Sequence, residues 1–87
     1  MSQGSYEIQF LPSARKELER ISSPHHDRIL AAITALADDP RPVGCVKLAG
    51  QQAYRIRVGN YRVIYQIADA KLIIVIVKVG HRRDVYR

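Results

Sequence analysis

Three arginines, Arg55, Arg57 and Arg62, lie around Gly59-Asn60, a two-residue pair of the kind that closes a hairpin. With Gly59 and Asn60 as the loop, Val58 pairs with Tyr61, Arg57 with Arg62, Ile56 with Val63 and Arg55 with Ile64. Cross-strand partners point the same way. Arg55, Arg57 and Arg62 therefore share one face, and Tyr54, Ile56, Val58, Tyr61, Val63, Tyr65 and Ile67 point the other way, into a core. Arg57 opposite Arg62 is a like-charge pair, which costs stability, and no acid in residues 51–68 offsets it. Guanidinium groups gathered on one face suit phosphate, which accepts bidentate hydrogen bonds. His81 and Arg82 follow just after the last apolar run. His81 is the nearby side chain whose unperturbed pKa, ~6.5, suits proton transfer. Tyr86 is available to stack on a nucleobase, a contact worth about 1–3 kcal/mol. The competing explanation is a solvated sheet face whose arginine stems cover apolar surface; it accounts for one arginine better than for three.

The charge balance agrees with a polyanionic partner. The 87 residues carry a net charge of +6. Residues 1–50 hold six basic and six acidic side chains, and residues 51–87 hold eight basic ones against Asp69 and Asp84, so the whole excess lies in the second part. Such asymmetry points to nucleic acid, an acidic protein segment or a membrane surface. A chain of this length makes one domain, residues 1–87, with room for one core. Cys45 is the one cysteine, so an internal disulfide is impossible. The longest apolar run, Leu72–Val77, has six residues, against the ~20 of a spanning helix. Met1–Tyr6 is polar, without the pattern of a signal peptide. A cytoplasmic protein with no membrane contact is expected.

The elements that must position the arginines follow from periodicity. Tyr6–Phe10 alternates as a short strand. Pro12 and Ser13 open a helix whose apolar stripe is Ala14, Leu18 and Ile21. Ser23 is read as an N-cap with Pro24 at the first position of a second helix. That helix carries Ile29, Ile33 and Leu36, flanked by Leu30 and Ala37, and stops at Asp38-Asp39-Pro40. The short link predicts an antiparallel helical hairpin. Arg41–Gln52, with Pro42, Gly44 and Gly50, reads as an irregular crossing. Strands follow over Tyr54–Val58, Tyr61–Ala68 and Leu72–Val79, the last nearly all apolar and β-branched as in a central strand. The expected fold is α+β, in the order βααβββ, with the helical hairpin on one face of a largely antiparallel four-stranded sheet.

Other candidates carry less. His25-His26-Asp27 has metal-ligand residue types, but adjacent helical residues point about 100° apart. Cys45 has no paired base in sequence and reads as a small apolar residue. Gly44 and Gly50 form no phosphate-binding fingerprint. No cofactor and no metal is expected.

Val46-Lys47-Leu48-Ala49-Gly50, Tyr54–Tyr65 and Val79–Tyr86 together resemble the RelE/ParE superfamily, toxins of type II toxin–antitoxin pairs, over nearly the whole chain. The resemblance implies a RelE-like fold. It also implies one of two activities: the RelE branch cleaves messenger RNA in the ribosomal A site, and the ParE branch poisons DNA gyrase. The basic face and the C-terminal tyrosine are similar to the RNase branch. On that reading Arg55, Arg57, Arg62, His81, Arg82 and Tyr86 are the catalytic set, and Lys47, Arg83 and Arg87 contact RNA. The implied chemistry is metal-free attack of a 2′-hydroxyl on its own phosphate, giving a 2′,3′-cyclic phosphate and a 5′-hydroxyl. In the RNase branch the positions of Arg55 and Arg57 are often lysine, one of them a candidate base. Arginine, with a pKa above ~12, is a poor base, which turns attention to His81. The implied partners are a cognate acidic, RelB-like antitoxin, the ribosome and mRNA. A gyrase inhibitor without chemistry of its own, and a non-catalytic nucleic-acid-binding module or decayed toxin, are the alternative readings.

Overall fold

The alternating stretch after Ser5 forms strand β1 (Glu7–Phe10). Pro12 then takes the first position of helix α1 (Pro12–Glu19), where its missing N–H removes no helical hydrogen bond. The computed structural model describes residues 5–49, 52–81 and 83. Helix α2 (His25–Ala35) starts differently from expectation: Pro24, not Ser23, holds the N-cap place, and no side chain caps the helix. The Ser23 hydroxyl is engaged elsewhere, donating to Asp27 Oδ2 at 3.1 Å. The helix also ends earlier, at Ala35, and a turn carries the chain to Pro40.

Four further strands follow: β2 (Val46–Lys47), β3 (Ala53–Val58), β4 (Tyr61–Ala68) and β5 (Ile73–His81). They form one sheet with β1 in the order β1-β5-β4-β3-β2. Among the described residues, only the β1–β5 pair is parallel. The chain order is thus βααββββ, and the sheet has five strands instead of the expected four. The addition is β2, inside the stretch read as irregular. It pairs Val46 with Arg55 and Lys47 with Tyr54, and the Leu48 amide donates to the Ala53 carbonyl at 2.9 Å. A two-residue strand has no period from which to be read.

The hairpin register is the expected one, from Ile64 opposite Arg55 to Tyr61 opposite Val58. Gly59, φ +61°, and not Asn60 supplies the positive φ, as in a type II′ turn. The β4–β5 link is a 3₁₀ turn over Asp69–Lys71, and Leu72 closes it in the left-handed region with φ +55°. Strand β5 therefore begins at Ile73, one residue later than expected.

Helix α1 contributes Ala14 and Leu18 to the core, and α2 contributes Ile29 and Ile33, followed by Leu36 at its C-cap. Against them lie Ile56, Val63, Tyr65, Ile74, Ile76 and Val79 from the sheet. Leu30, expected to flank the stripe, stays 41% exposed. Alternation along β5 is interrupted by a bulge: Ile64 pairs with Lys78, but Tyr65 pairs with Ile76. The extra residue re-phases the strand, so that Ile74 and Ile76 on one side of the bulge and Val79 on the other all face the helices. Glu17 of α1 fastens this region, accepting from Lys78 Nζ at 3.0 Å and from the Val79 amide at 3.0 Å.

The far end of the sheet is closed by a polar clasp. Arg41 donates to both carboxylate oxygens of Asp69, at 2.9 and 3.3 Å, and its guanidinium lies 5.2 Å from the Tyr54 ring centroid. Tyr6 donates to the same carboxylate at 2.7 Å. Beneath it, buried Tyr65 donates to the Pro40 carbonyl at 2.7 Å, and burial raises its pKa above the ordinary phenol value. Hydrogen bonds from Arg41 and Tyr6 hold the Asp69 carboxyl below its ordinary value near 3.8.

Two outcomes follow from the clasp. Tyr65→Phe leaves the Pro40 carbonyl without its donor and should lower stability by about 1–2 kcal/mol, measured by urea denaturation. Asp69 has a depressed folded-state pKa, so its contribution is present above the unfolded value and is lost as pH falls through the folded one. Asp69→Asn should therefore destabilise at neutral pH and lose that effect in strong acid, measured by denaturation at pH 7 and at a pH below the folded value.

Candidate nucleic-acid interface

The two helices cover one side of the sheet. The other side bears Arg55, Arg57 and Arg62, because their neighbours along the chain, Ile56 and Val63, are locked into the helix-side core. Arg57 stands directly opposite Arg62, and Arg57 is exposed while Arg55 and Arg62 are half-buried. The Nε atoms of Arg55 and Arg62 are shut away from solvent. Their stems thus lie along the sheet. Ile64, next to Arg62 on the same face and half-buried, supplies apolar surface for such stems. Val46, which was not anticipated as part of this face, pairs with Arg55 and borders it with 42% exposure. Its only signal in the sequence was a strand too short to detect.

Two other predicted site residues are not brought to this face. Lys47 pairs with Tyr54, so it projects on the helix side. His81 pairs with Tyr61, and Gly80 occupies the place opposite Arg62. The His81 ring lies 5.7 Å from the Tyr61 ring, and the His25 ring lies 5.3 Å from it. His81 also lines a hollow with Glu17 of α1, Ile21 and Lys78. The expectation that His81 works beside the arginines is therefore corrected: it shares their end of the sheet but faces away from them, by the alternation that keeps Val79 in the core. The Arg83 amide donates to His81 Nδ1 at 3.4 Å. Arg82, Tyr86 and Arg87 lie outside the described residues.

The weaker candidates have ordinary settings. His25 packs on Tyr61, and His26 Nδ1 is 3.3 Å from Asp27 Oδ1. Cys45 is partly buried against the core. Among the described residues no helix is long and apolar enough to cross a membrane.

Among the described residues, the side chains that the hairpin sets on this face with Ile64 are three permanently charged guanidinium groups. Such an array binds and orients polyanions, and it stabilises negative charge that develops on a phosphate. Because phosphate contacts release counterions, affinity for single-stranded RNA should fall steeply with salt. Replacing Arg55, Arg57 and Arg62 together by Gln should reduce the slope of log K against log salt by about two, measured by fluorescence anisotropy. An unchanged slope would show that the polyanion binds elsewhere.

Comparison with known proteins gives a consistent picture. The family described as ParE toxin of type II toxin-antitoxin system, parDE, matches residues 8–86. Toxin RelG of Mycobacterium tuberculosis is 36% identical, over 94% of this chain and 97% of its own length. The mRNA interferase toxin RelE of Escherichia coli K12 is 27% identical, over 90% of this chain and 84% of its own. In structure, the chain is similar to one in the archaeal RelE–RelB complex from Pyrococcus horikoshii OT3, with a TM-score of 0.81, 29% identity, and coverage of 93% and 99%.

Proposed function

This chain belongs to the RelE branch of the RelE/ParE superfamily of type II toxin–antitoxin toxins, and from that premise we propose that it is a ribosome-dependent endoribonuclease that cuts messenger RNA in the A site. The observation that carries the reading is the arginine face: three guanidinium groups on the helix-free side of the sheet, two of them directly opposed across the hairpin. The similarity to a protein named as an mRNA interferase supports the choice of chemistry. The partner is an acidic RelB-like antitoxin that folds over the basic face as it binds. The site of action is the cytoplasm, with the ribosome presenting the message.

In the proposed step the 2′-hydroxyl oxygen attacks the adjacent phosphorus, the bond to the 5′-oxygen breaks, and a 2′,3′-cyclic phosphate and a 5′-hydroxyl result. The proton lost by the 2′-oxygen must be taken up, and one must reach the leaving 5′-oxygen. Arg55, Arg57 and Arg62 stabilise the charge that builds on the non-bridging phosphate oxygens, with Arg82 added from the sequence. None of the four deprotonates at neutral pH, and His81 faces the helix side. The proton transfers therefore fall to Tyr86, to the RNA or to the ribosome, and the protein's main contribution is positioning and fixed charge. Lys47, Arg83 and Arg87 remain in the proposal as peripheral cations.

Arg62→Ala should lower the single-turnover cleavage rate by about 10²–10³ and leave ribosome binding nearly unchanged. His81→Ala should cleave near the wild-type rate with the same pH profile. Primer extension on a translated message reads both. A loss of about 10²–10⁴ with His81→Ala would return that residue to the chemistry. The match to the family described as ParE toxin favours one second reading, a ParE-type gyrase inhibitor. Inhibition of supercoiling by purified gyrase, with no cleavage of translated message, would establish it in place of the first.

A further inference from the structure

Beyond Ile76, where its pairing with β1 ends, β5 takes a partner from a helix. Glu17 of α1 accepts from the Val79 amide at 3.0 Å through one carboxylate oxygen and from Lys78 Nζ at 3.0 Å through the other. A strand amide points along the plane of its sheet, so this carboxylate sits at the edge of β5, level with the strands. The Lys78 stem starts elsewhere. Lys78 pairs with Ile64 and Gly80 with Arg62, on either side of Val79, which pairs with Val63 in the core. Cross-strand partners share a face. Lys78 therefore leaves the backbone on the arginine side, and its tip bends to the edge to reach Glu17.

Two rows run across the arginine face at this end: Arg57, Arg62 and Gly80 in one, and Arg55, Ile64 and Lys78 in the next. Lys78 is thus a diagonal neighbour of Arg62, at about 7–8 Å between backbones, and Gly80 places no side chain beside them. A strand spacing of about 4.8 Å lies within reach of a four-carbon stem. The pair with Glu17 is weak and unequal. Its two side chains are 38% and 28% exposed, and an ion pair so open to water contributes little. Glu17 keeps the Val79 amide when the ammonium leaves. The ammonium has three donors and spends one on Glu17.

We propose that Glu17 and a phosphate of bound RNA compete for Lys78, so that Lys78 is a further cation of the arginine face, engaged only while RNA occupies it. The inference rests on the proposed action on RNA. Without RNA, an ammonium over Ile64 would face Arg55 on one side and Arg62 on the other, and like charge drives it to the carboxylate at the edge. A phosphate drawn onto Arg62 cancels that repulsion and offers a charged acceptor from the face itself. The free protein therefore favours the Glu17 contact and the complex favours the phosphate contact, a difference that couples RNA binding to the position of the ammonium. The lysine suits the task because its flexible stem follows a phosphate that the flattened arginine stems cannot. Glu17 acts as a latch: it stores the charge of Lys78 where it adds nothing to the repulsion on the sheet.

The test follows binding of the full chain to a fluorescein-labelled oligouridylate of about twelve nucleotides by anisotropy. Glu17→Gln removes the competing charge and keeps a side-chain oxygen for the Val79 amide. Glu19→Gln, at an exposed position of the same helix, removes an equal charge without releasing Lys78. Glu17→Gln should tighten binding by about fivefold, the upper end for loss of an exposed pair, and Glu19→Gln by less than about twofold. In a Lys78→Gln background the gain from Glu17→Gln should shrink to that from Glu19→Gln. Lys78→Gln alone should reduce the slope of log K against log salt by about 0.7. RNA should also shift the carbon-13 signal of Lys78 Cε, identified by its loss in Lys78→Gln. An equal gain from Glu17→Gln with and without Lys78, or a Lys78 signal that RNA leaves in place, would overturn the latch and leave the pair a fastener of β5. The same coupling with polyglutamate and none with RNA would overturn it in favour of an acidic protein segment. Absent coupling with intact cleavage of translated message refutes the latch and leaves the nuclease reading standing. Coupling without cleavage does the reverse.

Discussion

Gly59 takes a left-handed φ that nearly every other residue would resist, and the hairpin it closes has only two loop residues. That turn admits one register. Because β-strand side chains repeat with period two and one face is buried, fixing the register fixes the destination of every side chain on both strands. Ile56 and Val63 go into the core, and Arg57 and Arg62 are forced together on the other side. The hydrophobic stabilisation of the first pair holds the repulsion of the second in place. The charge array is a by-product of packing that loosening of the arginine side chains alone cannot undo.

The rest of the molecule protects that register. Both helices lie on the opposite side of the sheet, so neither of them covers the arginines. At the far end of the sheet, the bidentate Arg41–Asp69 pair and the Tyr65–Pro40 hydrogen bond tie the segment after α2 to β3, β4 and the turn beyond β4. At the near end, Glu17 couples α1 to the bulged part of β5. In a chain this small the core alone gives a modest margin. Polar fasteners at both ends let the central strands stay rigid under a like-charge pair.

How much was legible in the sequence depended on whether a feature had a period. The hairpin register, the seven residues of its core face and the helical stripes were all readable, because Gly59-Asn60 marks a turn and the flanking residues alternate. The strand Val46–Lys47 was not, because two residues carry no alternation and glycines and prolines surround them. The placement of His81 failed for a different reason. The nearly continuous apolar run of β5 conceals its own phase, so nothing before His81 indicates which side it takes. Ser23 illustrates a local rule displaced by a competing partner: its hydroxyl bonds Asp27 instead of capping α2. The arginine trio was visible as a set, whereas the pairing of Lys47 with Tyr54 emerged only once β2 was seen.

The bulge opposite Ile64 and Tyr65 gives this fold an unusual kind of evolvability. The segment of β5 before it is anchored by Ile74 and Ile76, which cannot leave the core without loss of the fold. The segment after it ends in Gly80 and His81 and is held mainly by Val79 and its contact with Glu17. Loss of the one extra codon would leave a regular strand in which Lys78, Val79, Gly80 and His81 keep the partners and the faces they have now. Keeping the codon while ironing out the bulge would instead slip the downstream segment by one residue and turn each of its side chains over. A one-codon deletion, elsewhere ruinous in a strand, is thus absorbed at this point without moving any side chain of the downstream face.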